Sequence, residues 1–427
     1  MREELKRNIW VNRIVIISCV IFFVIVFAFP SVINMRPQIQ TKLLITALGI
    51  DKTQSGEVEL SGIAVMPVGG TDTASVHSIT VEHKAPSIGE NLQGLSEIYG
   101  RQVELGLCGL IVVGESMKDE NLLEHFEFLI SSGFVSPGTY VTYAPNAKAK
   151  EVLSLASKLN PSSAEILASV VDYNANSNNI STVTLLQFVS QSNSISSASV
   201  IPQIVFDESK DENSQQGGEN SQQGGESGQS ESEGAKSAQS SEKGKESMKT
   251  AIKSLNKTAL FYKGKRVGEF NDDQTLSYVL SKSGENQGTF VLDDFVVGKE
   301  NLGKVQCFVY GKKFKKKCKF ENGVPTIYYY PEITLQLYDQ HRIIRKWKEM
   351  GMDEELITTP LLEQFANKVK NDMLSAIDYS KNSGADVFLI EDDFYRLHHA
   401  EYLKYKKDHP DFLSGVVVNI QPVIKFK

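Results

Sequence analysis

Between Arg13 and Arg36 the chain runs for 22 residues without a charged side chain. This stretch, residues 14–35, is rich in Ile, Val and Phe. About 20 such residues in a helix cross a ~30 Å hydrocarbon layer. A surface helix of a soluble domain would keep one polar face, and this run has none. Residues 1–13 hold Arg2, Lys6, Arg7 and Arg13 against Glu3 and Glu4. The positive-inside bias therefore places 1–13 in the cytoplasm and everything after Arg36 outside. Trp10 sits where an interfacial aromatic belongs. The sequence predicts a retained single-pass anchor over 14–35, with Ile14, Ile16, Phe22, Phe23 and Phe29 among its apolar side chains.

Two other fates of this segment fit less well. A cleaved signal peptide has an apolar stretch of about 7–15 residues and a small-residue cleavage site. Ala28-Phe29-Pro30-Ser31 is a poor version of that site. Lipid attachment at Cys19 would need Ile16-Ile17-Ser18-Cys19 to close an apolar region, whereas here it lies near the start of one.

The remainder divides at a low-complexity block. Residues 207–247 hold 10 acidic and 4 basic residues and a near-duplicated Ser-Gln-Gln-Gly-Gly unit. They carry −6 of the chain's formal −7, leaving −1 elsewhere. The block lacks the apolar surface needed to offset the entropy of ordering it, so a disordered linker is expected. A nearly neutral remainder argues against nucleic acid as a partner. The whole chain is 41% hydrophobic, enough for a sizeable core.

Periodicity predicts strands alternating with helices on both sides of the block. Strands are expected over 42–50, 57–66, 75–82, 105–113, 140–144 and 199–206, with helices over 87–99, 120–130 and 147–159 and a further one capped by Ser181. After the block, Lys263-Gly264-Lys265-Arg266 marks a hairpin, and Asp272 is placed to cap a short helix. Farther on, 304–310 and 314–320 read as a second hairpin, 326–338 as a long strand, and Thr359-Pro360 as a helix start. Val387 to Ile390 reads as a short strand, 392–407 as one helix, and 416–425 as the last strand. The expected fold class is α/β, with α+β mixed sheets and helices, in a three-domain extracytoplasmic region behind one transmembrane helix. The expected blocks are 1–13, 14–35, 36–206, 207–247, 248–295 and 296–427.

No nucleophile elbow, phosphate loop, His-Glu-x-x-His helix or EF-hand loop is present. His398-His399 are adjacent on a predicted helix and point about 100° apart, unlike ligands at i and i+4. The acidic pairs Asp272-Asp273, Asp293-Asp294 and Asp392-Asp393 lie at predicted element ends, where capping explains them. No catalytic residue, metal site or cofactor is predicted. Lys312, Lys313, Lys315, Lys316, Lys317 and Lys319 form an expected basic hairpin tip. Such lysines protect a strand edge from aggregation; alternatively they contact anionic lipid or an acidic partner. A turn centred on Lys312-Lys313 would set Cys307 opposite Cys318, leaving open either a disulfide or two free thiols. The four cysteines form no CxxC pair.

Several segments, in order, resemble the spore germination Ger(x)C family, the C component of germinant receptors. They begin with Leu43-Leu44-Ile45-Thr46-Ala47-Leu48-Gly49-Ile50-Asp51, and continue with Leu107-Cys108-Gly109-Leu110-Ile111-Val112-Val113-Gly114-Glu115. Ala259-Leu260-Phe261 follows, with Gly264 and Val267-Gly268-Glu269-Phe270. The C-terminal part supplies Ala385-Asp386-Val387-Phe388, Tyr395-Arg396, Phe412 and Val416-Val417-Val418-Asn419-Ile420. Members usually carry a lipoprotein cysteine where this chain has an apolar run, and the long linker is also unusual. The resemblance implies three α/β domains on the outer face of the spore inner membrane. It implies a non-catalytic subunit acting with a multi-pass A subunit and a transporter-like B subunit. Other readings of the residues are a cell-wall hydrolase, which needs converging carboxylates in a pocket, and a solute-binding or adhesion module.

Overall fold

The computed structural model describes residues 13, 15–24, 41–68, 75–157, 181–206, 252–254, 257–282, 288–338, 345, 347–349, 351 and 354–427. The chain divides into two units, Met1–Lys42 and Leu43–Lys427. In the first, residues 15–24 are helical, and Ile16, Phe22 and Phe23 are exposed, as is Cys19. Ile14, Phe29 and the rest of the expected anchor lie outside the described residues. Among the described residues no helix is long and apolar enough to cross a membrane. The low-complexity block also lies outside them.

The second unit is built on three main sheets. The first holds β1 (Lys42–Lys52), β2 (Val58–Val68), β3 (Ser75–Ala85), β4 (Gln102–Glu104), β5 (Leu110–Val113) and β6 (Tyr140–Tyr143), in the order β3-β2-β1-β5-β6 with β4 on β1. β1 runs antiparallel to β2 and parallel to β5. Against this sheet lie α1 (Ile88–Tyr99) and α3 (Ala149–Ser157), and α2 (Leu122–Ser131) intervenes in sequence. Local chemistry sets these boundaries. Ser87 caps α1 by accepting from the Glu90 amide, and Gly100 closes it in the left-handed conformation at φ 60°. The helix α4 (Leu185–Ser192) is capped by Thr184, not by Ser181 as expected, because Thr184 and Gln187 form a reciprocal capping box. The expected strand over 105–113 shortens to β5, since the Cys108 amide turns back to the Leu105 carbonyl.

The second sheet joins the two sides of the low-complexity block. β7 (Ala198–Pro202) pairs antiparallel with β10 (Thr258–Tyr262), which forms a hairpin with β11 (Lys265–Phe270). Lys263 and Gly264 turn this hairpin with positive φ, as the sequence predicts. Between these strands in sequence, β8 (Val205–Phe206) and β9 (Ile252–Ser254) pair with each other. A short helix, α5 (Asp272–Leu280), follows β11 and is capped by Asn271 rather than Asp272.

The third sheet has the order β12-β13-β14-β15, with β16 also on β14: β12 (Gly288–Val297), β13 (Glu300–Glu321), β14 (Val324–Leu337), β15 (Val417–Ile420) and β16 (Val423–Phe426). Its inner face is covered by α6 (Glu354–Asn382), which places Phe365 and Val369 against Cys307, Ile333 and Leu335, and Met373 and Ile377 in the core shared with Ile327 and Tyr329. Pro360 lies inside α6 and does not start it, so the backbone bond to residue 356 is forgone. The expected strand over 387–390 is absent, and 392–407 is two helices, α7 (Ile390–Leu397) and α8 (His399–Asp408), broken at His398. The expected cut between 295 and 296 falls within β12. One core cluster holds Leu48, Ile201, Leu260, Phe270, Phe388 and Phe412, so the three expected regions pack as one unit.

This packing has a direct consequence. A site-specific protease sequence inserted after Ser230 should allow the full chain to be cut without separating its halves. The two fragments should elute as one species in non-denaturing conditions, because β7 and β10 are adjacent strands of one sheet. Separation of the fragments without denaturant would contradict the arrangement.

Candidate functional site

The outer face of the third sheet departs most from the sequence reading. β13 is one continuous strand of 22 residues, so Lys312 and Lys313 lie in its middle and not at a hairpin tip. The true turn is Asn322-Gly323, at φ 52° and 83°, which has the left-handed geometry of a two-residue hairpin. The cause of the misreading is a bulge between Val309 and Gly311 in the pairing with β14. Side chains alternate with period two, and one extra residue swaps the faces. Before the bulge Val305, Cys307 and Val309 point inward and Phe308 and Tyr310 outward. After it Phe314, Cys318 and Phe320 point inward, and Lys313, Lys315, Lys317 and Lys319 outward.

Of the two alternatives open for Cys307 and Cys318, a disulfide or two free thiols, the strand geometry leaves the free thiols. Eleven residues along one strand put these cysteines about 35 Å apart, far beyond the ~7 Å limit for a disulfide. Both are free thiols in separate cores, and burial pushes each up to about 12.

The six lysines divide by face. Lys312 turns inward and donates from Nζ to the Val279 carbonyl at 2.9 Å, at the C-terminal end of α5. Burial lowers its pKa to about 8. Lys316 reaches the buried Asp393, which also accepts from Arg396 at 3.1 Å. Lys313, Lys315, Lys317 and Lys319 remain exposed on the outer face. Lys315 is paired in register with Tyr330, and Lys317 with Tyr328. These two tyrosine rings lie nearly parallel, 6.3 Å apart, and Tyr328 donates to Glu321 at 2.9 Å. The other end of the face is aromatic. Phe308 and Tyr338 rings lie 5.0 Å apart, and Lys427 sits 3.6 Å from the Tyr310 ring centre. Phe308, Tyr310 and Tyr338 are 42%, 57% and 50% exposed.

Lys312 yields a pH prediction. Its pKa in the folded state is below that of the unfolded chain, so above about pH 8 the unfolded state binds the extra proton. The parent protein should therefore gain stability relative to Lys312→Met as pH rises from 8 toward 10. Denaturant midpoints for both proteins across that range measure it, and a constant difference would contradict the burial of this amine.

The acidic pairs do not converge. Asp273 pairs with Lys368 at 3.0 Å, and Asp293 and Asp294 are exposed beside an irregularity in β12, not at a strand end. Asp392 accepts from the Ser194 hydroxyl and from the Ile195 and Ser196 amides, at 2.9–3.1 Å. Nearby, the buried Asp386 accepts from the Ser196 hydroxyl at 2.6 Å and from the Ile390 and Glu391 amides at 3.0 and 2.7 Å. These two carboxylates fasten the segment before β7 to the start of α7. In the first sheet, Asp51 at the end of β1 accepts from the Ala149 and Lys150 amides at 3.1 Å each and from Ser116 at 3.0 Å. Its carboxylate occupies the helix N-terminus beside the parallel strands, a place where open α/β sheets often hold ligands. No local sequence signal marks the structural roles of Asp51 and Asp386, although both stand in the segments that carry the resemblance. Among the described residues no group of three His, Cys, Asp or Glu side chains could hold a metal ion.

Two family models match the chain in sequence order. The first, described as spore germination protein N-terminal domain, matches residues 36–206. The second, described as spore germination B3/GerAC like, C-terminal, matches residues 256–426. A solved structure, that of the GerBC protein, aligns with a TM-score of 0.49 and 16% identity, covering 89% of this chain and 96% of its own. No curated protein matches the chain.

Proposed function

Because this chain belongs to the spore germination GerAC family, we propose that it is a non-catalytic, membrane-anchored subunit of a germinant receptor, acting in nutrient-triggered germination with membrane-embedded A and B type subunits. The observation that carries this reading is the ordered match to both germination domains, over 36–206 and 256–426. The anchor would be residues 14–35, supported by their lack of charge and by the exposed apolar helix at 15–24. The ectodomain would then lie on the outer face of the spore inner membrane. A subunit of this kind acts through contacts, and the exposed Phe308–Tyr338 ring pair, with the exposed Tyr310 on the same strand as Phe308, has the aromatic composition enriched at protein interfaces.

Co-purification tests the assembly. The tagged full chain, isolated from detergent-solubilised spore inner membranes, should bring down multi-pass receptor subunits, and Tyr310→Ser should reduce their yield without unfolding the chain. Isolation of the parent chain alone under conditions that preserve other inner-membrane complexes would overturn the assembly reading.

A further inference from the structure

We propose that the outward lysine file of β13, Lys313, Lys315, Lys317 and Lys319, with Tyr328 and Tyr330 beside it, docks on an anionic lipid surface. This deepens the membrane-anchored reading and rests on it only for nearness to a bilayer.

The geometry suits a flat, charged surface. Alternate residues of a strand are about 7 Å apart, so the four ammonium groups form a row about 20 Å long on one face. Their local neutralisation is weak. Lys315 is 3.7 Å from Glu332 with 71% of its side chain exposed, and Lys319 is 4.0 Å from Glu321. Among the described residues neither Lys313, which lies in register with Glu332, nor Lys317 is within ion-pair distance of a carboxylate. Glu332, in register opposite Lys313, and Glu321 are the carboxylates beside the file, so four lysines face two acids and a net positive charge remains. The half-buried Tyr328 and Tyr330 add amphipathic rings of the kind concentrated at the membrane–water interface.

Lysine also distinguishes a lipid surface from a protein partner. Protein interfaces are depleted of lysine at their centres, because the ammonium group is strongly hydrated and expensive to desolvate. At a headgroup layer it stays hydrated and still gains about fivefold in binding per residue when the surface is anionic. That gain is lost beyond a Debye length of about 10 Å and falls with added salt. The inward Lys312 and Lys316 are excluded, since they face Val279 and Asp393.

The test uses the full chain in nanodiscs of phosphatidylcholine alone or with phosphatidylglycerol. Acetylation of each lysine is followed by mass spectrometry. In anionic discs the rates at Lys313, Lys315, Lys317 and Lys319 should fall about fivefold relative to neutral discs and recover in high salt. Lys404 and Lys407, exposed on α8, should be unchanged. Equal labelling of the file in both discs would overturn the proposal, as would equal protection of Lys404 and Lys407. Protection that appears only with co-purified receptor subunits would assign the file to a protein partner instead. If the chain stays in neither disc, the anchor reading fails. The same labelling with anionic vesicles added to the chain in solution then decides the file by the same criterion.

Discussion

Replacing Asp386 with alanine is expected to destabilise the folded unit by about 3–5 kcal/mol. The carboxylate is buried and serves three donors, the Ser196 hydroxyl and the amides of Ile390 and Glu391. Alanine would leave all three without a partner, at about 1–3 kcal/mol for each group that water cannot reach. It would also leave α7 without its cap, since Leu389 offers no side-chain acceptor and holds a left-handed backbone at φ 55°. The effect should reach across the molecule, because Ser196 precedes β7 while α7 packs against β13. Burial raises the Asp386 carboxyl to about 6 in the folded state, with Glu391 adding to the rise. The folded state therefore binds the extra proton between about pH 6 and 4, and the parent gains stability as pH falls through that window. The deficit of Asp386→Ala should accordingly be larger at pH 5 than at pH 7.5. Denaturant midpoints at the two values check both statements, and a loss below about 1 kcal/mol would mean that the joint is not held here.

Gly114→Ala should be comparably damaging, by about 3–5 kcal/mol or by failure to accumulate folded protein. A methyl group at this position would lie 1.9 Å from Asp51 Oδ1 and 2.7 Å from the Ala149 backbone nitrogen. The first neighbour is the carboxylate that caps α3, and the second is the backbone that it caps. Neither can yield without breaking the contact between β1 and α3. Ser116→Ala, which removes one of the three hydrogen bonds to Asp51, provides the scale and should cost about 1 kcal/mol. Equal stability of Gly114→Ala and the parent would show that Asp51 does not need this space.

Those two positions also show what the sequence could convey. The apolar residues before Asp51 place β1, and the continuous apolar run over 105–113 places the end of β5 but not its start; the Gly-Ile-Asp and Gly-Glu endings are features of the family resemblance. That Asp51 and Gly114 meet is a tertiary fact, set by the parallel pairing of β1 with β5. Strands and helices with strong local signals, such as α1 with Ser87 and Gly100 or the hairpin at Lys263-Gly264, lie near their expected places. Capping residues one to three positions apart compete, and reciprocal hydrogen bonds favoured Thr184 over Ser181 and Asn271 over Asp272.

The largest misreading was β13. Its apolar alternation reverses at Gly311, and a reversal of phase looks like a turn when only one strand is considered. The Asn322-Gly323 pair was the stronger turn signal, and it correctly ends the strand. The short apolar run at 387–390 read as a strand because its pattern matches a buried one. Asp386, immediately before it, supplies acceptors to two successive amides and starts a helix instead. Of the six lysines singled out, the bulge leaves Lys313, Lys315, Lys317 and Lys319 on the outer face and turns Lys312 and Lys316 inward.

The most direct measurement of the receptor reading is the response of spores that lack this chain. Deletion of its coding sequence should abolish germination with at least one nutrient germinant, while germination by a non-nutrient trigger that bypasses receptors proceeds as in the parent. Restoring the full chain should restore the response, and restoring the Asp386→Ala form should restore less of it. Deletion spores that respond to every nutrient germinant at the parent rate would contradict the account.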